Sequence, residues 1–343
     1  MATPNIAFVK YWGKRNDKLI LPYNSSISIT LGEELNTKTS VMFTKKIKED
    51  IFYINGQKQD LTDKDVKERF AIIDIMRKKA RTDAKVIVVS ENSFPTAAGL
   101  ASSASGIAAM VYAVNAALKL NLDTKELSII ARQGSGSSCR SLTGGFVKWE
   151  KGNKEDGSDS YIRQIKDSNY WPDLINIITI VSKSKKKISS RVGMKQTVET
   201  SQFYKLRPNI AEEHCNQLEE AISRKDFEQL CKITMQESNN FHSVALDTYP
   251  PIIYLNDTSK EIINAIHELN ESEGKIIAAY TFDAGPNANI ITLDKYKNKV
   301  LDVLKKIDDI EQTIITKSGN GPILDESKSL ITPKILEEIG LKR

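Results

Sequence analysis

A segment of small residues, PTAAGLASSASG at 95–106, precedes an apolar helical pattern and contains no acid, base or metal ligand. Small side chains leave backbone N–H groups accessible, and the unpaired N–H groups at a helix N-terminus favour an anion. The strand pattern KVIVVSENSF leads into this segment, Gly99 allows a bend, and Ser102 and Ser103 open the helix with hydroxyls. The segment lacks the lysine of the G-x-x-x-x-G-K-[ST] loop. It is therefore either a phosphate-binding loop of another kind or a tightly packed helix start.

A second turn of small residues, RQGSGSSCR at 132–140, is flanked by arginines. Ser135, Ser137 and Arg140 could present hydroxyls and a forked guanidinium to a phosphate or carboxylate. The alternative is a helix end with a glycine stop and a surface arginine. Two serines and an arginine would make a poor core, which favours the anion site.

Further cations occur near the N-terminus and in the middle of the chain. Lys10 lies inside the apolar, strand-like stretch IAFVKYW, and Lys14 follows in the same motif. Such a lysine either points outward to solvent or faces an anionic substrate, and the sequence leaves both open. The segment KSKKKISSR at 183–191 is either a solvated basic loop or, at its Ser190 and Arg191 end, a further anion site.

One carboxylate has an unusual setting. Asp283 lies in FDAGPNAN, between apolar strand patterns and a Gly-Pro turn. A buried acid is costly unless a cation pairs with it, so Asp283 is a candidate for chemistry. The alternative is a turn-forming aspartate before glycine. The three histidines, His214, His242 and His267, are scattered and are interpreted as structural.

Strands and helices of both periodicities must position these residues. The alternation of Ile27, Ile29 and Leu31 with Ser and Thr predicts a half-buried strand. Helical spacing predicts helices over KDVKERFAIIDIMRKKA and DTKELSIIARQGSG, helices dominate from about 193 to 245, and KYKNKVLDVLKKIDDI is predicted as the last helix. The mixture indicates an α+β fold.

Length and composition limit the class of protein. A chain of 343 residues predicts two packed lobes, which we place at 1–176 and 177–343. A net charge of +5 is small for a nucleic-acid-binding surface, and the three cysteines have neither metal-site nor disulfide spacing. The N-terminal residues MATPNIAFVKYWGKR contain no apolar h-region after a basic start, so we expect no secretory signal, and the apolar stretch 107–118 is too short to span a bilayer. We expect a cytoplasmic protein that binds neither nucleic acid nor membrane.

Combined, the motifs resemble a known family. NIAFVKYWGKR, SENSFPTAAGLASSASG, RQGSGSSCRSLTGGFVKWE and YTFDAGPNA are together similar to the diphosphomevalonate decarboxylases. That family belongs to the superfamily of galactokinase, homoserine kinase, mevalonate kinase and phosphomevalonate kinase. The resemblance extends from about Pro4 to the KSGNGP turn at 317–322. It implies an N-terminal lobe with a left-handed βαβ unit, a ferredoxin-like C-terminal lobe, and an active site between them.

The resemblance also implies an activity. Family members use ATP and Mg²⁺ to decarboxylate (R)-5-diphosphomevalonate to isopentenyl diphosphate, and they are commonly homodimers. The C3 hydroxyl is phosphorylated first, and phosphate and CO₂ then leave. Two alternatives stay open: a superfamily kinase that phosphorylates mevalonate or phosphomevalonate without decarboxylation, and a non-enzymatic binder of anions or nucleic acid.

Matching positions carry the family's residue roles. Asp283 matches the catalytic aspartate, Lys10 the lysine beside the C3 hydroxyl and departing phosphate, and Arg140 the arginine that holds the substrate carboxylate. The other implied substrate-binding residues are Tyr11, Lys14, Ser135, Ser137, Ser190 and Arg191. The implied ATP-binding residues are Ser90, Gly99, Leu100, Ala101, Ser102 and Ser103. The sequence does not indicate which residues hold the magnesium ion.

Overall fold

The structure is a computed structural model that describes residues 1–94, 102–181 and 188–341. The predictions for Gly99, Leu100, Ala101 and residues 183–187 lie outside the described residues, and Ser102 is described only as the first residue of a helix. Within the described ranges, no helix is both long and apolar enough to cross a membrane.

The described residues form strands and helices that occur partly in runs, with seven strands before the first helix. The strands are β1 (Asn5–Val9), β2 (Lys14–Asn16), β3 (Leu21–Pro22), β4 (Ser26–Thr30), β5 (Thr37–Thr44), β6 (Ile51–Ile54), β7 (Gln57–Lys58), β8 (Lys85–Asn92), β9 (Phe146–Trp149), β10 (Ile162–Lys166), β11 (Leu174–Ile180), β12 (Ala278–Phe282), β13 (Ala288–Leu293) and β14 (Gln312–Lys317). The helices are α1 (Lys64–Ala80), α2 (Ser102–Ala117), α3 (Thr124–Gly134), α4 (Ser190–Thr200), α5 (Arg207–Arg224), α6 (Phe227–Leu246), α7 (Asp257–Ser272), α8 (Lys297–Leu304) and α9 (Pro333–Glu338).

The first sheet has the antiparallel order β1-β4-β9-β10. The prediction that the strand around Ile27 is half-buried was wrong, because every residue of β4 is buried. Its Ile27 and Ile29 side chains join the largest apolar core. Its hydroxyl-bearing face is buried as well, since Ser26 and Thr30 hydrogen-bond to the 3₁₀ segment Gly136–Leu142 and the residue after it.

A second sheet with the order β5-β8-β6-β7 lies under α1 and α2. Strands β6 and β8 pair in parallel and are connected by α1, so this unit corresponds to the predicted βαβ. Asp63 caps α1, and Asp123 and Glu126 form a capping box on α3. The apolar side chains of these helices pack on Val86 and Val88 of β8.

The C-terminal half contains an antiparallel sheet with the order β12-β13-β11-β14. Its chain order is a strand, several helices, a hairpin, α8 and a last strand, which is the ferredoxin-like arrangement. Ile175 and Ile177 of β11 share one apolar core with Phe8 of β1 and Ile29 of β4, so the two halves pack through the first sheet. The prediction of an α+β fold with two lobes is confirmed.

The end of the chain differs from the sequence prediction. The predicted last helix ends at Leu304, and β14 and α9 follow it. The segment QTIITK is rich in β-branched residues, which favour a strand, and β14 pairs with β11. Leu336 and Ile339 then cover Tyr53 and Ile87 on the outer face of the second sheet.

Candidate active site

Lys10 and Asp283 form an ion pair that joins the two halves of the chain. Lys10 follows β1, and Asp283 follows β12. The Lys10 Nζ lies 2.8 Å from Asp283 Oδ1 and donates to the Ala7 carbonyl at 2.8 Å. The Lys10 side chain is 4% exposed and that of Asp283 is 38% exposed. Lys10 therefore does not point outward to solvent, and Asp283 is the member of the pair that a ligand can reach.

The surroundings of Lys10 change its proton affinity. Burial lowers the pKa of Lys10 below its ordinary value. The Asp283 carboxylate opposes this effect without cancelling it, while the Arg140 cation lowers the pKa further. Because little water surrounds the buried Lys10 ammonium group, it interacts strongly with any additional negative charge.

Arg140 presents a second buried cation. It lies on the 3₁₀ segment Gly136–Leu142, and its Nε and Nη1 donate to Asn5 Oδ1 at 3.2 Å and to Ser26 Oγ at 2.7 Å. Burial lowers the pKa of Arg140. No carboxylate among the described residues lies within ion-pair distance of Arg140, although Asp283 and Lys10 are close enough to interact electrostatically. This arrangement suits an anionic ligand.

The turn that carries Arg140 is rigid. The backbone carbonyl of Ser135 accepts from the Ser138 N–H at 2.9 Å and from its hydroxyl at 2.6 Å. The carbonyl of Ser137 accepts from Asn5 Nδ2 at 3.0 Å, and Asn5 also donates to Ser141 Oγ at 2.8 Å. The side chains of Ser135 and Ser137 are half-buried on this fixed backbone.

Tyr11 packs on the same turn. Its ring lies edge-on to Trp149 with 4.8 Å between ring centroids, and a Cβ added to Gly136 would lie 2.6 Å from its Cε1. Only glycine at position 136 permits this approach. Burial raises the pKa of Tyr11, so its hydroxyl keeps its proton and can donate. Lys14 begins β2, and its Nζ lies 2.5 Å from Asp17 Oδ1.

The start of α4 approaches this turn from the other half of the chain. Ser189 caps α4 by accepting the Val192 N–H, Ser190 is exposed in the first turn, and Arg191 follows. Arg191 forms an ion pair with Glu68 of α1 and donates to the Gly134 carbonyl at 3.4 Å. Arg191 therefore reaches the end of α3, next to Ser135, whereas the described contacts do not connect the Ser190 hydroxyl to the other candidates.

Ser90 and Ser103 line a separate cavity of about 110 Å³ between the second sheet and the helices α1 and α2. Its walls include apolar side chains of β6, β8 and α2, namely Phe52, Ile54, Val88, Ile107 and Met110. The Ser90 hydroxyl hydrogen-bonds to Thr39 at 3.0 Å. An apolar cavity with a few polar groups is typical of a site for a small organic molecule.

Sequence reasoning missed the residues that hold the candidate groups in place. Asn5 and Ser26 hold Arg140, and Glu237 and Arg207 bond to the backbone of Lys10. Asn5 and Ser26 are ordinary polar residues in strand patterns. The one available signal was an acid or arginine at an apolar position of a helical pattern, which applies to Glu237 and Arg207.

The histidines differ in their surroundings. His242 lies near Lys10 and Asp283, and burial, together with the charge of Lys10, lowers its pKa to about 3. It is therefore neutral at physiological pH. His214 Nδ1 lies 2.7 Å from Glu237 Oε1, and His267 Nε2 lies 3.2 Å from the Tyr280 hydroxyl. Their interpretation as structural stays a prediction.

The described ranges contain no group of three or more His, Cys, Asp or Glu side chains placed to bind a metal ion.

Two family models match most of the chain. The diphosphomevalonate decarboxylase-like N-terminal domain matches residues 2–162, and the mevalonate 5-diphosphate decarboxylase C-terminal domain matches residues 176–330.

Individual proteins agree with these models. The diphosphomevalonate decarboxylase of Debaryomyces hansenii is 46% identical over 316 residues, which are 89% of this chain and 81% of the relative. A crystal structure of mevalonate diphosphate decarboxylase from Staphylococcus aureus has a TM-score of 0.88 at 37% identity, covering 94% of this chain and 96% of that chain. A structure in complex with MVAPP, AMPPCP and magnesium has a TM-score of 0.85 at 39% identity, covering 93% of this chain and 96% of that chain. The chain therefore belongs to the diphosphomevalonate decarboxylase family.

Proposed function

We propose that this chain catalyses the ATP-dependent decarboxylation of (R)-5-diphosphomevalonate to isopentenyl diphosphate, with release of CO₂, phosphate and ADP. The observation that carries the proposal is the Lys10–Asp283 ion pair near the buried guanidinium of Arg140. Membership of the decarboxylase family supports it, as does the related structure with MVAPP, AMPPCP and magnesium.

Asp283 and Lys10 act on the C3 hydroxyl. The accessible carboxylate of Asp283 orients this hydroxyl and accepts its proton as the oxygen attacks the phosphoryl group. The ammonium of Lys10 stabilises the negative charge on that phosphoryl group and later on the departing phosphate.

Arg140 holds the substrate carboxylate. The partners Asn5 and Ser26 fix its guanidinium, so the carboxylate is held in one orientation. When phosphate leaves C3, the electron pair of the bond between C1 and C2 forms the double bond between C2 and C3, and CO₂ is released. This orientation requirement is absent in a kinase that only phosphorylates, which favours the decarboxylase.

The remote diphosphate lies among residues of the turn, the N-terminal motif and α4. These residues are Tyr11, Lys14, Ser135, Ser137, Ser190 and Arg191. Contacts to a part of the substrate that does not react hold the reacting carbon in place, which can lower the barrier by several kcal/mol.

ATP is assigned to the cavity lined by Ser90 and Ser103. Apolar walls suit a base, and the start of α2 provides N–H groups for phosphates. Gly99, Leu100, Ala101 and Ser102 extend this proposal along the small-residue segment. Bound Mg²⁺ would neutralise the charge of the ATP phosphates. It keeps several waters and is held largely by substrate phosphates, so it needs few protein ligands.

The assay that tests the function measures CO₂, ADP and phosphate after mixing the chain with MgATP and diphosphomevalonate. We expect the three products in equal amounts. ADP formation without CO₂ indicates a superfamily kinase that acts on mevalonate or phosphomevalonate. Salt-dependent RNA or DNA binding without ATP turnover indicates a non-enzymatic binder.

Organisation and location are part of the same proposal. We place the lobes at 1–176 and 177–343, and Asn176 lies within β11, the first strand of the C-terminal sheet. We also propose a cytoplasmic homodimer with one active site in each chain. Light scattering after size exclusion should give twice the mass of 38.4 kDa.

A further inference from the structure

We infer that Glu237 and Ser238, consecutive residues of α6, are positioning residues that set the distance between Lys10 and Asp283. The inference rests on the proposed catalytic roles of Lys10 and Asp283. The side chains of these two residues contact each other directly, and the α6 side chains bond to the backbone near them. Glu237 acts on the backbone of Lys10, and Ser238 acts on the backbone next to Asp283.

The backbone of Lys10 lies beyond its strand. Because β1 ends at Val9, the N–H and C=O groups of Lys10 need partners outside the sheet. The N–H donates to Glu237 Oε2 at 3.0 Å. The carbonyl accepts from Arg207 Nη2 at 3.0 Å and from Asn24 Nδ2 at 3.0 Å. Three side chains therefore fix one peptide segment in a buried place.

Glu237 is itself fixed by α5. Arg207 binds it with two hydrogen bonds of 2.8 Å, and both side chains are 0% exposed. His214 contacts the same carboxylate at 2.7 Å, and Asn240 accepts from Arg207 at 2.9 Å. A bidentate pair of this kind fixes geometry. The free-energy cost of removing the two charged groups from water offsets most of their mutual attraction, so a buried ion pair adds little stability compared with an apolar contact. The Arg207–Glu237 pair is therefore better explained by its effect on geometry.

The next residue of α6 holds the other end of the ion pair. Ser238 Oγ accepts the N–H of Phe282 at 3.1 Å, and Phe282 immediately precedes Asp283. The helix packs on both β12 and β1. One rigid helix turn thus holds the backbone on either side of the pair, and the 2.8 Å separation follows from α6.

The test compares Glu237→Gln with a matched control, Asp50→Asn. Asp50 also binds an arginine, Arg77, through both oxygens and accepts a backbone N–H, that of Val86, at 2.9 Å. It lies outside the proposed site. We expect Glu237→Gln to lower kcat about tenfold or more with KM for both substrates nearly unchanged, because small misplacements of reacting groups reduce the rate strongly. Asp50→Asn should lower Tm with kcat nearly unchanged.

Ser238→Ala keeps the test decisive if Glu237→Gln does not fold. It removes one hydroxyl and leaves the Arg207–Glu237 pair intact, and we expect a lower kcat with unchanged KM. If the α6 variants that fold lose no more kcat than Asp50→Asn at equal loss of Tm, the inference is wrong.

Lys10→Met separates this inference from the proposed role of Lys10. If Lys10→Met loses turnover while both α6 variants keep it, the positioning inference alone is overturned. If Lys10→Met keeps turnover, the catalytic role of Lys10 is wrong and the inference falls with it, while the product assay on the unmodified chain still decides the reaction.

Discussion

The Nζ of Lys10 lies 2.8 Å from Oδ1 of Asp283, across 273 positions of sequence. Lys10 is buried, whereas more than a third of the Asp283 side chain is exposed. Removing the Asp283 carboxylate would leave the buried Lys10 ammonium without its counter-ion, which strongly destabilises a protein. A substitution at Asp283 should therefore keep a hydrogen-bond acceptor next to Lys10. Asparagine is the informative replacement for Asp283, because it keeps the shape and one acceptor oxygen.

The Asp283→Asn variant should lose turnover while it still binds ATP. An amide cannot accept the proton of the C3 hydroxyl, and general-base groups contribute about 10²–10⁴-fold to rates. ADP release measures turnover, and calorimetric titration with a non-hydrolysable ATP analogue measures binding. Asp302→Asn, at an exposed position on α8, is the control and should behave as the unmodified chain. Near-normal turnover of Asp283→Asn would remove Asp283 from the catalytic role.

The Arg140→Lys variant should weaken recognition of the substrate carboxylate. Lysine keeps the charge but loses the planar fork, and the oxygens of Asn5 and Ser26 lose fixed donors. We expect kcat/KM for diphosphomevalonate to fall about 10- to 100-fold, the range of one charged hydrogen bond, with KM for ATP unchanged. Steady-state kinetics with each substrate varied in turn measures both.

Arg163→Lys provides the control for this change. Arg163 is exposed on β10 and pairs with Glu150 and Glu219. Its replacement should leave both KM values unchanged. Equal effects of the two substitutions, or a rise in KM for ATP alone, would contradict the assignment of Arg140.

His242 should not titrate across the physiological range. Burial lowers its pKa to about 3, and the charge of Lys10 contributes. Two-dimensional NMR of histidine-labelled protein between pH 8 and pH 5 should show constant ring shifts for His242, assigned with a His242→Gln variant. A transition with a midpoint above pH 5 would show that the imidazole reaches solvent or a carboxylate.

Local patterns predicted most elements of the fold. Helical spacing located α1 and α3. The strand β14 was missed, although its isoleucines and threonines are typical of a strand. The predicted last helix ended at Ile310, and no element was assigned to residues 312–317. The burial of both faces of β4 was missed because Ser and Thr in an alternating pattern are typical of a solvent-facing side. The segment that covers them contains Arg140 and is more than a hundred residues away in sequence.

For the candidate site, the sequence indicated which residues take part but not how far apart they lie. Charged residues in apolar settings identified Lys10 and Asp283, since a charge there requires a reason. Arg140 was identified by the small-residue turn that it flanks. Their mutual distances depend on which strands end side by side, and no spacing in the sequence contains that information. Glu237 escaped notice for a related reason, because its partners Arg207 and Lys10 come from two other elements.

The Arg207–Glu237 pair should make the free energy of unfolding decrease as the pH is lowered. Burial alone would raise the pKa of Glu237, but the charge of Arg207 and hydrogen bonds from His214, Arg207 and the Lys10 N–H outweigh it and lower the pKa from 4.5 to about 2. The unfolded chain therefore binds this proton first as the pH falls. The stabilisation from ionised Glu237 is present above pH 4.5 and is lost progressively towards pH 2.

Urea unfolding of the unmodified chain and of Glu237→Gln at several pH values between 6 and 3.5 measures this contribution. The difference in unfolding free energy between the two proteins should be constant above about pH 5.5 and shrink below it, with a slope approaching about 1.4 kcal/mol per pH unit. The other carboxylates titrate in both proteins, so their effects cancel in the difference. A difference that stays constant down to pH 3.5 would mean that the pKa of Glu237 is the same in the folded and unfolded chain, and that Arg207 does not hold its charge.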